Sequence, residues 1–133
     1  MNPAINPESL SYSKEHEWVR IEQDGSATIG ITAFAAEALG DVVFVDLPDA
    51  GSTLTQFGKF GEIESVKAVS DLFSPIGGTI IEINQGVIDN PQLVNDGAFE
   101  AGWLLKVSLS DRAELDTLLS ASDYESFIAS EGN

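Results

Sequence analysis

Lys67 is the side chain whose type and position best suit covalent chemistry in this chain. The stretch 60–83 predicts two short strands that meet at a tight turn, with Lys67 at or beside its tip. Ser74-Pro75 and Gly77-Gly78 then favour a second turn before the β-branched run 79–83 resumes a strand. A primary amine on such a turn is presented where a partner could reach it. The other interpretation is an ordinary solvated charge.

The other residue types and motifs of the chain argue against an enzyme active site. The chain has one histidine, His16, and no cysteine, which excludes a multi-histidine metal site, a cysteine nucleophile and any disulfide. A serine triad would have to use His16, and no nucleophile-elbow motif is present. Gly77-Gly78 lacks the following helix of a phosphate-binding loop. We therefore expect neither catalytic residues nor a metal, and any sulfur chemistry would need an imported cofactor.

Composition predicts one soluble domain. A chain of 133 residues is long enough for one core and too short for two. The formal net charge of −16 argues against nucleic-acid binding, because phosphates would be repelled, and favours partners with basic patches. No apolar run approaches the length of a membrane span. Residues 1–10 carry no basic or apolar segment, so we expect a cytoplasmic protein, or the processed form of an organelle protein.

Around the Lys67 hairpin, the pattern predicts many short strands and a few helices. Strands are predicted over 12–21, 27–31, 41–47, 53–57 and 103–109, with a turn at residues 23–25. Thr32 is predicted to cap a helix over 33–39 that ends at Gly40. Its inward stripe would be Phe34, Ala38 and Leu39.

The last third of the chain contains further predicted helices. Asn90 is predicted to cap a short helix with Pro91 at its first position. In the C-terminal part, Ser122 and Glu125 have capping-box spacing. We therefore expect the whole chain, 1–133, to be one domain, with a loose arm over 1–10 and short C-terminal helices over 110–133. Its class is mainly β with short helices.

Several blocks, in order, resemble the glycine cleavage system H protein family. They are Lys14-Glu15-His16-Glu17-Trp18, Gly30-Ile31-Thr32, residues 38–45, Glu64-Ser65-Val66-Lys67-Ala68 with Asp71 and Ser74-Pro75, and residues 102–106. The resemblance covers roughly residues 10–127. It implies a flattened β-barrel sandwich of the lipoyl/biotinyl type, with a modified lysine at a hairpin tip. It also implies lipoate attached covalently to Lys67 by lipoylating enzymes.

The resemblance implies a carrier cycle with three further partners. A pyridoxal-phosphate glycine decarboxylase would load an aminomethyl group on the lipoyl arm, and a tetrahydrofolate-dependent aminomethyltransferase would unload it. Dihydrolipoamide dehydrogenase would reoxidise the arm. Contacts between such partners are transient, so we expect a monomer. In the family, an acid at the Glu17 position holds the charged amine, and Ala68 and Asp71 match positions near the arm.

Two features leave alternatives open. Ala33 and Phe34 follow Ile31-Thr32 where family members often have an acid and then an aromatic residue or histidine, which affects a segment that can line the cleft of the arm. The chain could also be an H-like lipoyl donor or relay in protein lipoylation, or an unmodified interaction module of the same fold. A lipoyl domain of a 2-oxo acid dehydrogenase is disfavoured, because Val66 precedes the lysine where those domains usually have aspartate.

Overall fold

The computed structural model describes residues 6–131, in which two antiparallel sheets pack on a common core. The larger sheet has the strand order β1-β2-β3-β9-β8-β5, and the smaller has the order β4-β6-β7. The strands are β1 Ser11–Tyr12, β2 Glu17–Ile21, β3 Ala27–Ile31, β4 Val42–Asp46, β5 Thr53–Leu54, β6 Lys59–Ser65, β7 Val69–Phe73, β8 Gly78–Ile83 and β9 Leu105–Leu109. The sheets do not close into a barrel, so the predicted mainly β fold is confirmed as a flattened sandwich.

Side chains from both sheets meet in the main core. Ile29 of β3 and Ile80 of β8 face Val45 of β4 and Ile63 of β6, and each is at most 2% exposed. Burial alternates along β6, as the predicted period of two requires, with Gly61, Ile63 and Ser65 inward. The hairpin predicted around Lys67 is therefore confirmed, with β6 and β7 as its arms.

Helix α1, Ala33–Leu39, begins and ends as predicted but buries a different face. The Thr32 hydroxyl accepts a hydrogen bond from the Ala35 amide at 3.2 Å, and Gly40 ends the helix with φ of +80°. The buried residue of α1 is Ala36, whereas Ala38 is exposed and Phe34 is only partly buried. The predicted inward stripe was wrong for Phe34 and Ala38, which border an open cleft, whereas Leu39 is partly buried against the core.

The other helices include one that was not predicted and correct two predicted caps. Helix α2, Gln85–Asp89, was not predicted, and its N-cap is Asn84, whose side chain accepts from the Gly86 amide. Helix α3, Gln92–Asp96, has Pro91 and not Asn90 as its N-cap. A 3₁₀ helix, Arg112–Thr117, precedes α4, Ala121–Glu131. There the Ser120 hydroxyl, rather than Ser122, accepts the Asp123 amide.

A second core cluster joins the two ends of the described chain. Tyr12 and Tyr124 stack with ring centroids 4.8 Å apart, and Trp18 is fully buried beside them. The predicted arm over 1–10 lies partly outside the described residues; in the described part, Asn6 and Leu10 are buried. Among residues 6–131, no helix is long and apolar enough to cross a bilayer.

Two predicted strands are shorter than expected, and each break has a residue with positive φ. The strand predicted over 12–21 is divided at His16, whose φ is +70°. The strand predicted over 53–57 stops at Leu54, and Phe57 has φ of +65°. Both residues leave the β region, so neither stretch can continue a ladder.

Candidate functional site

Lys67 lies in the tight turn between β6 and β7. The Ser65 amide donates to the Ala68 carbonyl at 2.8 Å and closes the turn. The buried Ser65 hydroxyl accepts the Lys67 amide at 3.2 Å and the Ala68 amide at 3.1 Å. These bonds satisfy the backbone of the turn internally and hold it in one conformation, while the Lys67 side chain is exposed.

The Lys67 turn rests on the segment that follows α1. The Val66 amide donates to the Asp41 carbonyl at 3.0 Å, which links the turn to the start of β4. A Cβ atom built on Gly40 would lie 3.4 Å from the Lys67 Cε atom. The stem of the lysine therefore lies against the C-terminal end of α1.

A cleft of about 400 Å³ runs beside α1. Its apolar walls come from β3, α1, β6 and β7, and consist of Ile31, Phe34, Ala35, Ala38, Leu39, Ile63 and Leu72. Phe34, in the first turn of α1, is six residues before the C-cap Gly40, which is about 9 Å along a helix that rises about 1.5 Å per residue. A long substituent on Lys67 could follow this face of α1 into the cleft.

Glu17, at the start of β2, is a buried carboxyl in the wall of this cleft. It is 2% exposed, accepts the Ser13 hydroxyl at 2.7 Å and accepts the Phe73 amide at 3.3 Å. Burial raises the pKa of Glu17 to about 8, although the bonds from Ser13 and Phe73 oppose the rise. No basic side chain of the described residues is bonded to this carboxyl, so its charged form lacks a cation partner.

The other predicted site residues lie at different distances from the cleft. Asp71 lies at its rim, but its carboxylate pairs with the Lys59 ammonium at 3.1 Å. Ala68 belongs to the Lys67 turn and does not line the cleft. The structure thus brings Glu17 and Asp71 to one cleft, with Lys67 and Ala68 at the end of the hairpin beside it.

Comparisons with known proteins identify the family. The model of the glycine cleavage H-protein family matches residues 10–131. The chain belongs to this family. The glycine cleavage system H protein of Carboxydothermus hydrogenoformans is 48% identical over 130 residues, covering 97% of this chain and 98% of that protein. The protein of the same name from Streptomyces avermitilis is 53% identical over 125 residues, covering 94% and 98%.

Solved structures agree with this membership in the glycine cleavage H-protein family. The crystal structure of a glycine cleavage system H protein from Mycobacterium marinum superimposes with a TM-score of 0.84. The two sequences are 39% identical, and the match covers 96% of this chain and all of that one.

In this member of the glycine cleavage H-protein family, three contacts at the cleft were not predicted. Ser13 bonds Glu17, and the only sequence signal was its spacing of four residues. His16 lines the cleft, and its Nδ1 atom lies 2.8 Å from the Tyr124 hydroxyl. Tyr124 comes from α4, more than a hundred residues further along the chain. Phe34, at a position where the sequence departs from the family pattern, lines the cleft beside the His16 ring, with centroids 5.1 Å apart.

Proposed function

We propose that this chain is the lipoyl-bearing carrier of the glycine cleavage system, with lipoate joined through an amide bond to the Nζ atom of Lys67. The observation that carries the proposal is the placement of Lys67. Its backbone is fixed by Ser65, its side chain is exposed, and its stem lies against the helix that forms one wall of the cleft. Family membership supports the same role.

The residues of the cleft fit a lipoyl arm. Apolar side chains of α1, together with Ile63 and Leu72, match the hydrocarbon part of such an arm. Glu17 and His16 line the same cleft and would contact a charged or polar end of the arm. When bound, lipoate supplies a disulfide that accepts the aminomethyl group from glycine together with two electrons.

The buried carboxyl of Glu17 gives the cleft a preference for a cationic amine. A carboxylate held away from water is costly unless a positive charge accompanies it. An ammonium group in the cleft would supply that charge and lower the pKa of Glu17 from about 8 toward its ordinary value. Enclosure by Phe34, Leu39 and Leu72 would reduce the access of water to the amine. The chain therefore binds and shelters the arm, and it catalyses no step.

The enzymes named by the family resemblance are the proposed partners. Lipoylating enzymes would modify Lys67, glycine decarboxylase would load the arm, aminomethyltransferase would unload it, and dihydrolipoamide dehydrogenase would reoxidise it. With a net charge of −16, the chain would be steered toward basic surfaces around the active sites of those enzymes. We propose a monomer that works in the cytoplasm and leaves each partner quickly.

Replacing Lys67 with arginine tests this proposal, because arginine keeps the charge and cannot be acylated to the same amide. Protein from its native host is expected to carry a lipoyl mass that maps to Lys67 and is missing in Lys67→Arg. Exchange of labelled carbon dioxide into glycine, measured with glycine decarboxylase, is expected to be lost in the same variant. Lys14→Arg is the matched control, since Lys14 is another exposed lysine, and it should keep both properties.

The other outcomes identify different functions. An unmodified wild-type mass in a host with active lipoylation would support an interaction module. A lipoylated protein without carbon dioxide exchange, but with transfer of its lipoyl group to other proteins, would support a lipoyl relay. Either result contradicts the carrier role in glycine cleavage.

A further inference from the structure

Exposed apolar side chains are concentrated around Lys67. In the part of the chain that the structure describes, six large hydrophobic residues are at least half exposed. Four of them lie on the Lys67 turn or on β4 and β7 of the small sheet. This turn patch consists of Val43, Phe44, Val66 and Val69. Apolar side chains that cluster on a soluble protein mark an interaction surface more often than scattered ones do.

The register of the small sheet makes the turn patch continuous. Phe44 pairs with Glu64, and Glu64 pairs with Val69, so the three side chains form one outward row across β4, β6 and β7. Neighbouring strands lie about 5 Å apart, which places Phe44 and Val69 about 10 Å apart on either side of the carboxylate. Val66, in the turn, forms the end of the patch, and the bond from its backbone amide to the Asp41 carbonyl holds it beside β4.

A β-bulge in β4 increases the apolar part of this surface. The register shifts between Val42 and Phe44, so that Val43 and Phe44 are consecutive and are 50% and 52% exposed. Strict alternation would have turned one of them inward. Bulges of this kind commonly re-aim side chains beside functional sites. The free energy that burial of Phe44 would contribute is therefore available to a partner and not to the fold.

The rim of the turn patch is acidic. Asp41 is exposed beside the apolar residues, Glu64 lies between Phe44 and Val69, and the next outward row is Asp46, Glu62 and Asp71. Lys59, at the start of β6, is paired with two members of that row, Glu62 at 2.9 Å and Asp71 at 3.1 Å. The complementary surface therefore combines apolar side chains, which meet the valines and Phe44, with lysine or arginine side chains, which meet Glu64 and the acidic row.

We propose that the turn patch is the docking surface for the enzyme that acylates Lys67, and this inference rests on the proposed function. An enzyme that forms the amide must bring the Lys67 Nζ atom itself to its active site, so its surface must meet the residues next to the turn. Enzymes that act on the far end of a lipoyl arm do not need that contact. Of the possible partners, the acylating enzyme is therefore the one whose chemistry requires this patch.

The reaction at this surface is the transfer of an acyl group from an acyl adenylate. The Nζ–C bond forms, the C–O bond to the phosphate breaks, and AMP leaves with the electron pair of that bond. The proton lost from nitrogen goes to solvent or to a base of the enzyme. There is no net oxidation or reduction in this step.

Phe44→Ser tests the docking surface, and Ile81→Ser is its matched control. Both residues are 52% exposed, but Ile81 lies on β8 of the larger sheet. Unlipoylated protein is incubated with a purified lipoate ligase, lipoate and ATP, and the adduct is followed by intact mass. We expect kcat/KM for Phe44→Ser to fall about tenfold or more, as for the anchor of an interface, with Ile81→Ser unchanged. Added salt should slow the wild-type reaction.

Controls separate this inference from the proposed function. Circular dichroism checks the fold, and reaction of Lys67 with a small activated ester checks that the amine is equally accessible in all three proteins. If the wild type is acylated and Phe44→Ser is acylated at the same rate, the docking surface is refuted while the carrier role stands. If the ligase does not acylate wild-type Lys67 at all, the proposed function fails. Equal slowing in Ile81→Ser, or self-association lost in Phe44→Ser without a change in acylation, also overturns the inference.

Discussion

Replacing Glu17 with glutamine isolates the cost of burying a carboxyl in the wall of the cleft. Burial raises the pKa of Glu17 from 4.5 to about 8 in the folded protein. The folded state then binds the proton more tightly than the unfolded state does between these values. The free energy of unfolding of the wild-type protein therefore falls as the pH rises from about 4.5 to about 8. Above that range the free energy of unfolding stays at the lower value. Glutamine keeps the shape of the neutral acid and does not ionise.

The size of the effect follows from the same two pKa values. The difference between 4.5 and about 8 corresponds to about 5 kcal/mol, at about 1.36 kcal/mol per pKa unit. We expect Glu17→Gln to gain several kcal/mol relative to the wild type between pH 5 and pH 9. The free energy of unfolding of a typical domain is about 5–15 kcal/mol, so this difference would be a large part of it. Repulsion among the other carboxylates affects both proteins equally and cancels in the comparison.

Chemical denaturation of the unlipoylated proteins at half-unit steps of pH measures this difference. Glu100→Gln, which removes an exposed carboxylate, is the control and should give a difference from the wild type that varies little with pH. A Glu17→Gln difference that changes by less than about 1 kcal/mol between pH 5 and pH 9 would refute the reasoning. In that case the bonds from Ser13 and Phe73 would offset the cost of burial.

Two further substitutions test the parts that position the site. Tyr124→Phe keeps the ring stack on Tyr12 but removes the hydroxyl that lies 2.8 Å from both His16 and Thr32, so unfolding by denaturant should show a loss of about 2 kcal/mol. An unchanged free energy of unfolding would mean that α4 holds the cleft by packing alone. Ser65→Ala removes the acceptor of two turn amides, and we expect a loss of about 1 kcal/mol together with slower enzymatic acylation of the turn. Acylation at the wild-type rate would contradict the positioning role of that hydroxyl.

The hairpin was predictable because its determinants are local. Alternation along β6, the turn and the Gly77-Gly78 pair at the start of β8 all lie within the single stretch 60–83. The cap of α1 at Thr32 and the left-handed Gly40 were predictable for the same reason. In each case the residues that decide the conformation are sequence neighbours, so the sequence pattern and the structure agree.

The cleft was harder to predict because its walls come from distant parts of the chain. A helical stripe of Phe34, Ala38 and Leu39 has the same pattern whether it meets a core or an open cleft, and the sequence does not distinguish them. Helix α2 was missed since Gly86 lowers its helix propensity and only Asn84 marks its start. The bulge in β4 has no sequence signal, because Val43 and Phe44 also suit a buried strand.

The hairpin and the cleft also differ in how much of the chain each needs. The turn that presents Lys67 is closed by residues only three apart, whereas His16 of the cleft is bonded to Tyr124, 108 residues away. During synthesis, the bonds of the Lys67 turn can thus form before α4 is made, whereas His16, which lines the cleft, acquires its Tyr124 partner only afterwards. The residue that presents the arm is thus fixed locally, whereas the residue at the cleft depends on the end of the chain.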